Sequence, residues 1–357
     1  MNFRILKNKK ILVTGHTGFK GSWLTMILSS LGANVIGISK YKLERPSLYS
    51  IIKINTLLEK EYMFDLTDFN KTKSAIIKEK PDFIFHLAAQ PIVSISLDDP
   101  ILNWNSNLMG SLSVLESIKK LQKKISVVMI TSDKCYHNNE WLWGYKESDK
   151  LGGDDPYSAS KAATEIMINS QIKSFFSSNS NNKFISSARA GNVIGGGDWA
   201  KNRIVPDCIR SIIKNNKIKI RNPNSTRPWQ HVLEPLFGYI MLGISLYKNK
   251  NLHGESFNFG PDVKNDFPVI DLVKNIISNF DEKKIEYDFE SKKNFKESGL
   301  LKLNCEKASK LLNWKSILTF DETTDMTSKW YKNYLNNHNM YDFTNDQINK
   351  YIHKLKS

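Results

Sequence analysis

Short runs of β-branched and other apolar residues alternate with longer amphipathic stretches through the first half of the chain. The runs at 11–14, 34–38, 61–64, 83–87, 125–131 and 184–189 read as strands, and the stretches at 21–31, 68–78, 105–122 and 158–175 carry apolar residues at helical spacing. Strand alternating with helix predicts an α/β fold, a doubly wound parallel Rossmann sheet with helices on both faces. From Gly191 the texture changes to a glycine run (Gly195, Gly196, Gly197), two proline-containing segments and a stretch around 301–331, which predicts a smaller C-terminal α/β lobe for substrate. We expect the sheet domain to take residues 1–190 with a return segment at about 228–258, and the smaller lobe to take 191–227 and 259–357. The Ser/Asn cluster at 177–182 reads as a solvated loop.

The chain has 357 residues, 40% of them hydrophobic, enough for a buried core and too apolar for disorder. No signal peptide is evident at its start. The longest apolar run, 236–247, falls short of the roughly 20 residues that cross a bilayer. A soluble protein without a membrane partner is expected. Cys135, Cys208 and Cys305 lie far apart and spell neither a disulfide framework nor a metal motif, which fits a reducing cytoplasm. The formal charge of +15 comes from scattered lysines without an arginine-rich block, so an anionic small molecule is a better partner than nucleic acid.

Candidate chemistry begins directly after the first strand. Gly15, Gly18 and Gly21 form G-x-x-G-x-x-G at the head of a helix, with Thr17, Phe19 and Lys20 between them. Such a loop lets a dinucleotide pyrophosphate approach the unpaired N–H groups and positive dipole end of the helix. The second strand ends in Ile38-Ser39-Lys40-Tyr41, with no carboxylate to choose a free ribose, so NAD and NADP both stay open. Asp65 and Leu66, after the third strand, stand either near an adenine edge or, for Asp65, at a helix cap. Tyr157 and Lys161 lie four apart on one helix face, where the ammonium is expected to lower the phenol's pKa and let Tyr157 accept a proton. Ser132, Asp133 and Lys134 follow the fifth strand at the carboxyl edge, where such sheets place their chemistry.

The glycine loop joined to Tyr157-Ser158-Ala159-Ser160-Lys161 resembles the short-chain dehydrogenase superfamily across nearly the whole chain, and within it the NAD-dependent epimerase/dehydratase family. Thr131-Ser132-Asp133-Lys134-Cys135-Tyr136 resembles the branch that dehydrates CDP-glucose, where other 4,6-dehydratases carry glutamate at the place of Lys134. The resemblance implies an internal redox reaction with NAD: oxidation at C4 of the sugar with Tyr157 as base, elimination of water across C5 and C6 with Asp133 as acid, and hydride return to C6. Lys134 then either takes the C5 proton, for which it would have to be neutral, or stabilises the developing enolate. It further implies that Ala88 and Ala89 line the cofactor, that Lys161 holds the nicotinamide ribose, that Gln90, Asn192, Arg203 and Arg227 meet the sugar or diphosphate, and that Arg221 lies near the base. His86 is expected to be a packed strand-end histidine. Trp141 and Trp143 read equally as lid or as packing. A homodimer or a dimer of dimers, paired through the helices at 105–122 and 158–175, is the implied assembly. A C4 epimerase, a dehydratase of another nucleotide sugar and a non-catalytic dinucleotide sensor are the competing readings.

Overall fold

A computed structural model describes residues 2–177, 182–262, 266–280, 285–289 and 300–356. Residues 178–181, within the loop expected at 177–182, lie outside the described residues. Seven parallel strands form the central sheet: β1 (Lys10–Thr14), β2 (Asn34–Ser39), β3 (Lys60–Met63), β4 (Phe83–His86), β5 (Ile125–Ile130), β6 (Lys183–Ala190) and β7 (Ser256–Phe259), in the order β7-β6-β5-β4-β1-β2-β3. Six of them match the runs read from the sequence. The seventh comes from far down the chain, and its Phe257 and Phe259 add two aromatic rings to the edge of the core.

Both faces of the sheet are covered, so alternate residues of one strand enter different cores. Ile11, Val13, Phe83 and Phe85 join the larger core, whereas Leu12, Ile84, Val127 and Met129 join the smaller. Helices α1 (Phe19–Ser30), α2 (Phe69–Glu79), α3 (Gly110–Ile118), α4 (Pro156–Gln171), α5 (Ile204–Ile213) and α6 (Leu233–Lys248) follow in chain order, with α7 (Val269–Ser278), α8 (Phe320–Leu335) and α9 (Met340–Lys356) behind them. The apolar run at 236–247 lies inside α6, a buried helix packed on β5 and β6. At its head Glu234 accepts from the Leu318 amide at 2.7 Å, the Ile317 amide at 2.9 Å and the Tyr351 hydroxyl at 2.7 Å, which ties the C-terminal helices to the sheet.

The helix expected at 105–122 begins earlier and ends sooner. Pro100–Trp104 is α-helical, Asn105–Met109 is wound wider as a π-turn, and α3 closes at Ile118. The wide turn lets the buried Asn107 amide donate to the Gln90 carbonyl (3.2 Å), the Asn103 side chain (3.0 Å) and Ser160 Oγ (2.9 Å), bracing the loop after β4 against α4. Beyond β6 three small pairs occur: Val193–Ile194 with Gln230–His231, Thr226–Arg227 with Phe267–Pro268, and Ile218–Ile220 with Tyr287–Phe289.

Candidate active site

Strand order reverses between β1 and β4, and the crevice at their carboxyl ends is where doubly wound sheets take ligands. Gly15 stands there with φ +75°, and a Cβ on it would lie 2.8 Å from the Ala88 nitrogen. A Cβ on Gly21 would lie 2.0 Å from the Gly15 carbonyl oxygen, so only glycine lets α1 start this close to β1. Gly18 caps α1 with no side chain to satisfy its first N–H groups. The result is a bare, positively polarised helix start beside Ala88 and Ala89, a shape that fits a pyrophosphate. Thr17 Oγ1 donates to the Tyr41 carbonyl at 2.9 Å, and Phe19 packs towards Gly195. Lys40, immediately after β2, is paired with Asp65 at 2.9 Å. Asp65 also accepts from the Thr67 amide at 3.0 Å, and the cap of α2 is Asp68, so the reading of Asp65 as the helix cap is corrected. Leu66 is buried in the smaller core.

Ser132, Asp133, Tyr157 and Lys161 are brought together at the ends of β5 and α4, all buried. Asp155 caps α4 by accepting from the Ser158 amide at 3.0 Å, and Pro156 occupies its first position, which fixes where Tyr157 leaves the helix. Ser132 Oγ donates to Asp133 Oδ1 at 2.8 Å and accepts from the Lys134 amide at 3.3 Å. Asp133 is 4% exposed and makes no ion pair with Lys134, which excludes a surface pair. The Lys134 side chain is half-buried. Lys161 Nζ lies 6.0 Å from the centre of the Tyr157 ring.

The expected lowering of the phenol's pKa is not met by these side chains. Burial pushes Tyr157 up to about 12, and the charge of Asp133 adds to that against the hydrogen bond of Ser132. Burial also brings Lys161 down to about 8 and, joined by the charge of Arg203, brings Lys20 down to about 8, while Asp133 opposes the latter. Desolvation is the largest cause for all three groups, because each is buried and the charged form of each loses its hydration. Lys20 therefore points from α1 into the same cleft, with its Nζ 6.0 Å from the Tyr239 ring centre.

Beneath this cluster lies a buried ionic platform. Glu165 of α4 accepts from Arg189 Nη2 and from Ser187 Oγ, each at 2.8 Å, and from the Thr131 hydroxyl. Arg189 also donates to Tyr136 at 2.8 Å. His86 is packed as expected, bonded to Thr14 (2.8 Å) and Ser111 (2.9 Å), with burial taking its pKa down to about 3. Trp141 stacks on Tyr145 with centroids 5.3 Å apart, whereas Trp143 is 64% exposed.

On the far side of the cleft, Arg203 is held by Asp198 at 2.9 Å and its charge is felt by both Tyr157 and Lys20. Asn192 follows β6 in the left-handed region with φ +39°, and Arg227 is buried with Nη1 donating to the Thr226 carbonyl at 2.7 Å. Gln90 Nε2 donates to the Ile92 carbonyl at 3.0 Å, leaving its buried Oε1 without a partner. Arg221 stands exposed directly after Ile218–Ile220.

Residues 12–327 match the GDP-mannose 4,6 dehydratase family. The chain belongs to that family. Within it, CDP-glucose 4,6-dehydratase of Salmonella typhimurium is 40% identical over 97% of both chains. A dTDP-D-glucose 4,6-dehydratase of Dictyostelium discoideum is 27% identical, over 76% of this chain and 62% of its own. The epimerase Mth375 of Methanothermobacter thermautotrophicus superposes with a TM-score of 0.79 at 24% identity, covering 93% of this chain and 95% of that one. A dTDP-glucose 4,6-dehydratase of Bacillus anthracis, solved with NAD, superposes with a TM-score of 0.76 at 20% identity, covering 93% and 99%.

Several residues of this 4,6-dehydratase family member escaped the sequence reading. Asp198, which holds Arg203, directly follows the glycine run and could have been found there. Tyr239, Gln230 and the Glu165–Arg189 pair carry no local signal. The same holds for Glu61, whose carboxylate is bonded by His16 (2.9 Å) and Tyr49 (2.5 Å) and lies 3.5 Å from Lys42. Burial works against that charge, and the two hydrogen bonds still hold it below the usual carboxylate range.

Proposed function

We propose that this chain is an NAD-dependent lyase that converts CDP-D-glucose to CDP-4-keto-6-deoxy-D-glucose and water. What carries the reading is a buried carboxyl, Asp133, hydrogen-bonded to Ser132 and set beside Tyr157 and Lys161, in a chain so similar to a CDP-glucose 4,6-dehydratase. A C4 epimerase needs the tyrosine and lysine but has no use for that acid.

The glycine cradle, with Gly15, Thr17, Gly18, Phe19, Lys20 and Gly21 on one side and Asp65, Leu66, Ala88 and Ala89 on the other, would hold the dinucleotide. The pairing of Lys40 with Asp65 supports NAD, since the base that would favour a 2′-phosphate is already neutralised. NAD, when bound, would supply the hydride acceptor for C4 and the hydride donor for C6.

The chain's own residues do the rest. Tyr157 takes the C4 hydroxyl proton, with Ser132 hydrogen-bonded to the same hydroxyl and Lys161 supplying positive charge beside the phenolate that forms. The resulting 4-keto group acidifies the C5 proton. Asp133 then donates its proton to the departing 6-hydroxyl as the C6–O bond breaks. Lys134 takes the C5 side, as base or as a cation facing the enolate. Arg203 and Arg227 offer planar forks to the diphosphate, with Asn192 and Gln90 nearer the sugar and Arg221 at the nucleoside end.

Two helices that flank the site expose Ile101 (73%), Trp104, Met109 and Ile166 (60%), an apolar face that supports pairing of two copies. Free cysteines, two of the three buried, fit a cytoplasmic protein. Among the described residues no helix is long and apolar enough to cross a membrane.

The test is incubation of purified protein with NAD and, separately, CDP-, dTDP-, UDP- and GDP-activated hexoses. The alkaline absorbance of 4-keto-6-deoxy sugars is followed, and loss of water is confirmed by mass. Product from CDP-glucose alone is expected. Product from another nucleotide moves the base specificity, inversion at C4 with the 6-hydroxyl kept makes it an epimerase, and NAD binding with no turnover of any sugar makes it a sensor.

A further inference from the structure

Behind Asp133 lies a recess of about 10 Å³, room for one water molecule, lined by Asp133, Gly191, Pro228, Gln230, Gly260, Pro261 and Leu303. Two acceptors belong to residues of its wall. Asp133 Oδ1 is taken by Ser132 at 2.8 Å, but Oδ2 lies over Gly191, where even a Cβ would approach to 1.9 Å. Gln230, 2% exposed, donates through Nε2 to both the Gly191 and Phe259 carbonyls at 3.0 Å. Those two acceptors settle which end of the amide is nitrogen. Its Oε1 is therefore turned the other way, buried and without a partner. A buried acceptor left unpaired is costly, and a water the size of this recess can donate to Gln230 Oε1 and to the Asp133 carboxylate at once.

We propose that the recess is a water site shared by Asp133 and Gln230, and that it receives the water expelled from the sugar. The inference rests on the role proposed above for Asp133. In the elimination the Asp133 carboxyl gives its proton to the C6 oxygen, the C6–O bond breaks, the C5 proton passes to the base on the C5 side, the role Lys134 offers when neutral, and the electrons of the broken C5–H bond form the C5–C6 double bond. The products on this side are a carboxylate and a water molecule, two acceptors and one double donor. Held between Asp133 Oδ2 and Gln230 Oε1, that water is kept from adding back to the double bond before hydride reaches C6. Gln230 is thus a positioning residue that acts through Asp133.

High-resolution crystal structures should show one water within hydrogen-bond distance of both oxygens beside NAD and the 4-keto-6-deoxy product, and none beside NAD and an unreactive substrate analogue; an empty recess beside product, or a filled one beside intact substrate, overturns the proposal. Gln230→Met should lower kcat about tenfold to a hundredfold, the loss of one hydrogen bond to a charged group, with KM for CDP-glucose unchanged. It should also let heavy oxygen from labelled solvent enter C6 of recovered substrate faster than in the wild type. Gly260→Ala is the second variant, because its Cβ meets Leu303 at an ordinary 3.4 Å while narrowing the same recess without touching Gln230. It should give the same signature. Wild-type turnover and labelling in both variants overturn the proposal. Full turnover in Asp133→Asn would instead overturn the role of Asp133, so the two failures are told apart.

Discussion

Replacing Gly191 with alanine tests how closely the geometry of Asp133 sets the reaction rate. The new Cβ would stand 1.9 Å from Asp133 Oδ2 and 2.3 Å from its Cγ, where ordinary contact begins at 3.4 Å. The carboxyl group must then retreat by about 1.5 Å or the loop must open, because Asp133 is buried against Gly191. A displacement of about 1 Å at a reacting group costs on the order of a hundredfold in rate, or about 2.7 kcal/mol of activation free energy. The overpacked core adds a stability loss of about 1–3 kcal/mol. The glycine has no left-handed φ, so the backbone itself tolerates alanine and the protein is expected to fold. The assay is steady-state formation of 4-keto-6-deoxy sugar together with rapid-mixing absorbance of reduced cofactor. Oxidation at C4 does not involve Asp133, so reduced cofactor should accumulate while product formation stalls, with KM little changed. A folded Gly191→Ala protein that turns over at the wild-type rate would refute the placement of the acid.

Tyr157→Phe removes the proton acceptor and should lower turnover by about 10²–10⁴-fold while leaving cofactor affinity near wild type by calorimetry. Lys20 has its pKa lowered to about 8 from 10.5, so between those values the unfolded chain binds more protons and wild-type stability rises with pH. Lys20→Met should therefore be more stable than wild type at pH 7 without cofactor, by up to about 3 kcal/mol, with the advantage gone near pH 10.5; an equal difference in urea melts at both pH values would sink this. Glu165→Leu leaves the buried Arg189 guanidinium without its partner and should cost about 3–5 kcal/mol in a thermal or denaturant melt. Ile101→Lys combined with Ile166→Lys puts charge into the exposed apolar face and should convert a sedimenting dimer to monomer; a wild-type protein that is monomeric at micromolar concentration would remove the pairing proposal.

Six of the seven strands were legible because each is a short local run, most of them rich in β-branched or aromatic residues, and such runs carry their own signal. Ser256–Phe259 was not, because four residues read the same in a loop, and only the vacant edge beside β6 makes them a strand. The Tyr157 and Lys161 pair and the glycine loop were legible for the same local reason: their spacing within one helix or one turn already places them. The phenol's pKa was not. Sequence spacing shows the cation four residues away, but the balance is decided by burial and by Asp133, which arrives from another strand.

By itself the sequence determined what depends on short range: the order of strands and helices, the glycines that open a path for a pyrophosphate, and the chemical identity of the groups at the carboxyl edge. Tertiary structure alone decided what depends on which distant segments meet. Asp198 holds Arg203, Glu165 is paired with Arg189 beneath Thr131, Lys20 shares a cleft with Asp133, and Gly191 with Gln230 closes a recess behind that carboxyl. The physical reason is that hydrogen bonding, desolvation and charge act over a few ångströms in space, and at this site those few ångströms join residues up to more than two hundred positions apart.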